Sequence, residues 1–204
     1  MEAGEFEVTV YNAGKIDSSI LSRAQTNAGR VFRKAGIELS WADGKPTAAQ
    51  HMQSPHCCPD GLPARISLTV MPKWMLSAQS LSNDAFGVLC LTGVFVFSDQ
   101  AGKFAQWYRL SESDILGMVI SHELGHSLLG AGHSRVGLMA AHLDEDQVLL
   151  FAEGRLGFTR EQASFMRSHL REITKAEKRE NRMGSVDDRA EGRHLWLQPS
   201  GSSR

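Results

Sequence analysis

The run Ser121-His122-Glu123-Leu124-Gly125-His126, followed by Gly130, Gly132 and His133, gathers the residue types that hold a metal ion and move a proton. On a helix, residues four apart rise by about 6 Å and point the same way, so His122 and His126 can offer imidazole nitrogens to one ion. Glu123 lies about 100° further round that helix, out of reach as a third ligand but able to touch a water held on the metal. Past the helix, Gly130 and Gly132 permit backbone angles that other residues resist, so the chain can turn back and bring His133 to the same ion. Three histidines with an open fourth position form a ligand set of catalytic zinc. Such an ion supplies a Lewis acid and a water of lowered pKa, for which Glu123 is placed as general base.

These side chains need a helix to space them and a sheet to hold that helix. Ser111-Glu112-Ser113-Asp114 is a helix start, and Ile115, Met118, Val119, His122, His126 and Leu129 fall on overlapping turns of one long helix that stops at the glycines. Upstream, Val8 and Val10 alternate as a half-buried strand does, with Asn12, Gly14 and Asp17 supplying turn and cap chemistry. A helix follows, its stripe of Ile20, Leu21, Ala24, Ala28, Val31, Phe32 and Ala35 ending at Gly36. Ile37, Leu39 and Trp41 alternate again up to Asp43-Gly44, which makes the opening a βαβ unit. Lys45 to Pro63, proline-rich and without periodicity, reads as a long loop. Ile66, Leu68 and Val70, then Phe86 to Leu91, then Val94 to Phe97 supply three more strands, the last suited to the sheet interior. A final helix starts at the capping box Thr159 to Gln162 and carries Ala163, Met166, Leu170 and Ile173. Residues 1–174 are thus expected to form one domain, and 175–204 a charged, flexible tail in which Leu195-Trp196-Leu197 is either a docking point or a loose end.

Composition narrows the function classes. With 204 residues, 42% of them apolar, the chain suits one domain with a substantial core. Lys plus Arg number 22 against 23 Asp plus Glu, a net charge of −1, which gives no basic excess for a phosphate backbone and argues against a nucleic-acid partner. No window approaches the ~18 apolar residues of a membrane span. The start MEAGEFEVTV is acidic where a secretory signal is basic, so the expectation is a cytoplasmic protein or one whose leader lies outside this chain. Cys57, Cys58 and Cys90 contain no CxxC pair; a bridge from Cys57 or Cys58 to Cys90 and three free thiols both remain open.

The segment from His122 to Met139 resembles the zincin metallopeptidases, and among them the metzincins, whose HExxH zinc helix is followed by a glycine turn, a third His and a methionine-bearing turn. The chain is also similar to a group of small bacterial predicted zinc metallopeptidases that share the Val10-Tyr11-Asn12 strand, the Ala35-Gly36-Ile37 helix end, His133-Ser134 and Gly137-Leu138-Met139. Over about residues 6–170 the resemblance implies a zincin-like α/β (α+β) fold: a mixed, twisted sheet of about five strands, a long N-terminal helix, the zinc helix and a C-terminal helix. It implies zinc ligands His122, His126 and His133, a general base at Glu123, and Met139 as a packing floor. The implied activity is zinc-dependent hydrolysis of peptide bonds in a peptide or protein substrate, and export is possible by the same resemblance. One departure stands out: six residues separate His126 from His133, where the metzincin pattern has five. If His133 misses the metal, Asp144, Glu145 or Glu153 is the expected substitute.

Other residues are candidates for lesser roles. His142, Tyr108 or Tyr11 could donate to a developing oxyanion, against the plainer reading of solvated or packed side chains. His51, His56, Cys57 and Cys58 carry metal-capable atoms without a recognisable zinc spacing. The strand from Phe86 to Leu91 could be the sheet edge that lays out a peptide substrate. The rival from another class is a catalytically silent zinc-binding module, against which Glu123 argues because a closed structural site has no use for a base.

Overall fold

The computed structural model describes residues 4–44, 65–76, 82, 85–90, 93–142 and 144–191, with residues 180–191 described as helix backbone alone. The strands are β1 (Gly4–Asn12), β2 (Ile37–Asp43), β3 (Arg65–Met71), β4 (Gly87–Cys90) and β5 (Gly93–Phe97). The helices are α1 (Ser18–Lys34), α2 (Ser98–Tyr108), α3 (Glu112–Leu129), α4 (Glu145–Ala152) and α5 (Arg160–Glu191). The five strands form one mixed sheet in the order β2-β1-β3-β5-β4. Four run parallel, and β4 pairs antiparallel with β5 at one edge.

Alternation in the sequence becomes a two-faced sheet. Phe6, Val8 and Val10 of β1 are buried while the alternating Glu5, Glu7 and Thr9 keep contact with solvent. The register lines up one inward row across four strands, Val10 opposite Leu68, Leu68 opposite Val94, and Val94 opposite Leu89. That face shares a single core with Ala24, Ala28, Val31 and Phe32 of α1 and with Ile115, Val119, Leu124 and Leu128 of α3. β1 and β2 are joined through α1 as the expected βαβ unit, whose helix is capped by the Asp17 carboxylate accepting from the Ser19 amide at 2.7 Å. α3 is buried along nearly its whole length, which makes it a rigid central carrier for whatever its side chains hold.

Two helices were not visible as such in the residue pattern. α2 buries only the small Ser98, Ala101 and Ala105, so its apolar stripe is faint, and it ends at Arg109 in a left-handed conformation with φ 56° in place of the usual glycine. α4 has 8 residues, begun by Asp144 accepting from the Gln147 amide at 2.8 Å. At the start of α5 the capping box forms in both directions: the Thr159 amide donates to Gln162 Oε1 at 2.9 Å, and the Gln162 amide donates to Thr159 Oγ1 at 3.2 Å. The α5 backbone continues to Glu191, so the charged stretch assigned to a tail begins within the helix. Cys90 is fully buried. The loop at 45–63 with His51, His56, Cys57 and Cys58, and Leu195-Trp196-Leu197, lie outside the described residues. No helix among the described residues is long and apolar enough to cross a membrane.

Candidate metal centre and active site

α3 places His122 and His126 on one face, one turn apart, with Nε2 of one 3.1 Å from Nε2 of the other. Both rings are anchored from behind. His122 Nδ1 lies 2.8 Å from the Leu138 carbonyl, and His126 Nδ1 lies 2.9 Å from the Gly130 carbonyl. A carbonyl oxygen only accepts, so each Nδ1 carries the proton and each neutral ring presents a bare Nε2 lone pair. Protonation of Nε2 is opposed: burial above all, then the charges of His126 and His133, pushes His122 down to about 4. Burial lowers His126 as well, against the Gly130 hydrogen bond and with a smaller push from His133.

Two lone pairs facing each other at 3.1 Å repel unless a cation lies between them. Zinc–nitrogen bonds of about 2.05 Å at a tetrahedral angle set two ligand nitrogens about 3.3 Å apart, close to the spacing seen. His133 completes the group: its ring centroid is 5.3 Å from that of His122 and 4.8 Å from that of His126. The three ligand atoms lie within 4.8 Å of one another, and His133 alone is exposed. These residues therefore fit a metal of the zinc type with one side open.

The loop that delivers His133 accommodates the extra residue between the second and third histidines. Gly130 ends α3 with φ 86°, and Gly132 needs no such angle. Beyond His133, the Ser134 amide donates to the Met139 carbonyl at 2.8 Å, and the Leu138 amide to the Gly157 carbonyl at 3.1 Å. These bonds fix the turn that aims the Leu138 carbonyl at His122. Met139 is buried beneath α3, where a Cβ at position 125 would sit 2.6 Å from its sulfur. The acidic substitutes are engaged elsewhere: Asp144 caps α4, where Glu145 stands in the first turn, and Glu153 pairs with Arg155 at 3.0 Å.

Glu123, next to His122 on α3, lines a cavity of about 750 Å³ that His122 and His133 also line. Burial pushes its carboxyl up to about 8. The roof over it is β4, and Gly87 lets the two meet: a Cβ there would stand 2.7 Å from Glu123 Cγ and 2.8 Å from the Phe95 carbonyl oxygen. Tyr108 and His142 line the same cavity, whereas Tyr11 is not among its walls. Gly87, the Leu138 and Gly130 carbonyls and, apart from Tyr108, the α2 wall of the cavity were not singled out in the sequence. A glycine at the start of an edge strand, and the Ala101, Phe104, Ala105, Tyr108 spacing, were the available signals.

A mixed five-stranded sheet ending in an antiparallel edge strand, backed by a long helix bearing two histidines and met by a third, defines a zincin-like fold. In particular, the chain is similar to archaemetzincin from Methanopyrus kandleri, with a TM-score of 0.51 and 15% identity over 83% of this chain and 97% of that one. At that identity the likeness is one of fold. No family model matches the sequence, and no curated protein matches it. The similarity to small bacterial predicted peptidases thus rests on the motif residues alone.

Proposed function

We propose that this protein is a zinc-dependent metallopeptidase in which His122, His126 and His133 hold the metal and Glu123 is the general base. The observation that carries the reading is the pair of bare Nε2 atoms 3.1 Å apart, held in that tautomer by two backbone carbonyls, beside a carboxyl buried in an open cleft. Zinc bound there supplies a Lewis acid and a water whose pKa falls toward ~7. The chain's own residues do the rest. Burial alone raises the Glu123 carboxyl to about 8, and a dication held by the three histidines would draw it back toward the carboxylate, the form that takes a proton from water and returns it to the leaving amine. Among the described residues β4 is the outermost strand of the sheet, beside the cleft, along which an extended peptide can add as a further strand. The fold likeness to archaemetzincin supports the same reading.

The test is metal analysis of protein purified without added zinc, together with digestion of an unfolded substrate such as casein in the presence and absence of a chelator. The proposal expects about one zinc per chain and chelator-sensitive cleavage that Glu123→Ala abolishes while zinc remains. Bound zinc with no cleavage of casein or of a peptide library would instead identify a silent zinc-binding module.

A further inference from the structure

The cavity above the histidines has a second wall that proton transfer does not use. Phe86, just ahead of β4, meets Phe104 of α2 edge to face, with centroids 5.5 Å apart and planes at 79°. Phe104 in turn meets Tyr108 at 4.5 Å and 38°. These three rings form a continuous row in the lining of the cavity that Glu123 and His133 also line. Trp107 stands at the same wall with 83% of its surface exposed. Among the described residues that indole presents a flat apolar face with no ring against it, and aromatic rings stack or meet edge to face with gains beyond plain burial.

We propose that this wall is the subsite that selects the substrate, accepting an aromatic side chain from a residue next to the bond that is cut. The inference rests on the hydrolase reading for its place in catalysis, but the recognition itself requires no turnover. An extended peptide advances about 3.3 Å per residue. In a cavity of about 750 Å³, a chain crossing Glu123 therefore brings a side chain to the ring row within one or two residues of the reacting carbonyl. The exposed Trp107 closes over that side chain from the mouth, while Phe104 and Tyr108 form the surface against which it rests.

The test compares two short alanine-glycine peptides that differ by one Phe for Ala. Binding is read by calorimetry on zinc-loaded Glu123→Gln protein, which leaves the peptide whole, and cleavage is read as kcat/KM on the native protein. The Phe peptide is expected to bind about tenfold more tightly. That preference should fall to about threefold or less when Trp107→Ala or Phe104→Leu is added, and persist with Trp74→Ala, whose equally exposed ring lies outside the cavity. Equal affinity for the two peptides overturns the proposal, and so does a preference that survives both wall substitutions. Phe-selective binding without any cleavage overturns the hydrolase reading and leaves the subsite standing.

Discussion

Glu123 and Gly87 meet across the cleft: the carboxylate stem carried by α3 rests where a side chain of the edge strand would otherwise be. Any Cβ at position 87 meets Glu123 Cγ at 2.7 Å and the Phe95 carbonyl oxygen at 2.8 Å, and the latter belongs to the sheet backbone and cannot yield. Gly87→Ala is therefore expected to displace Glu123 while sparing the histidines. The measurable outcome is a fall of about 10- to 100-fold in kcat/KM with zinc content unchanged. Full activity in Gly87→Ala protein would show that Glu123 does not need its present position.

The histidine pair makes a separate prediction about metal. His126→Ala removes one of the two nitrogens that face each other at 3.1 Å and should abolish zinc binding at micromolar protein. Because a ligand that binds only the folded state stabilises it, a chelator should lower the Tm of the native protein and leave that of His126→Ala unchanged. Atomic emission analysis and differential scanning calorimetry check both halves.

The metal-free protein should show an unusual dependence of stability on pH. The Glu123 carboxyl rises from an ordinary 4.5 to about 8 on folding, so between those values the folded state holds a proton that the unfolded state has lost. Stability contributed at this site is full below 4.5 and declines as pH rises to about 8. His122 acts in the opposite sense: its folded value of about 4 lies below 6.5, so its contribution is present above 6.5 and is lost as pH falls toward 4. Glu123→Gln removes only the first effect. Denaturant unfolding of chelated protein should find Glu123→Gln more stable than native by a few kcal/mol at pH 8, with the gap closing near pH 5. A gap that is the same at both values would exclude a buried, proton-holding Glu123.

Much of this site could be read from residue types because its geometry is local. Helical spacing alone brings His122 and His126 together, and the sheet's inward row follows from strict alternation at Val8, Val10, Leu68 and Val94. What stayed hidden was long-range. The contact of Gly87 with Glu123, and the pairing of the Leu138 carbonyl with His122, join positions 36 and 16 residues apart, and no periodicity encodes them. α2 escaped for a different reason. Its buried face is made of Ser98, Ala101 and Ala105, whose small side chains carry little hydrophobic contrast, and its larger rings line the cleft, with Phe104 alone also packing against the core.

Below α3, Gly125 and Met139 make a steric prediction of their own. An alanine at 125 would put its Cβ 2.6 Å from Met139 Sδ and 2.9 Å from Phe158 Cε1, both of them side-chain atoms. Crowding of this kind in a packed interior costs about 1–3 kcal/mol, since the neighbours must leave their preferred rotamers. Because the Met139 carbonyl accepts from the Ser134 amide at 2.8 Å, a shifted methionine also disturbs the turn that carries His133 and aims the Leu138 carbonyl. Gly125→Ala should thus lower both folding stability and zinc affinity. Shortening the partner in Gly125→Ala/Met139→Ala relieves the sulfur contact but opens space elsewhere, so a double-mutant cycle should give a favourable coupling energy of about 1 kcal/mol or more. Additive effects in that cycle, measured by urea unfolding of zinc-loaded protein, would mean that Met139 does not bear on the helix at Gly125.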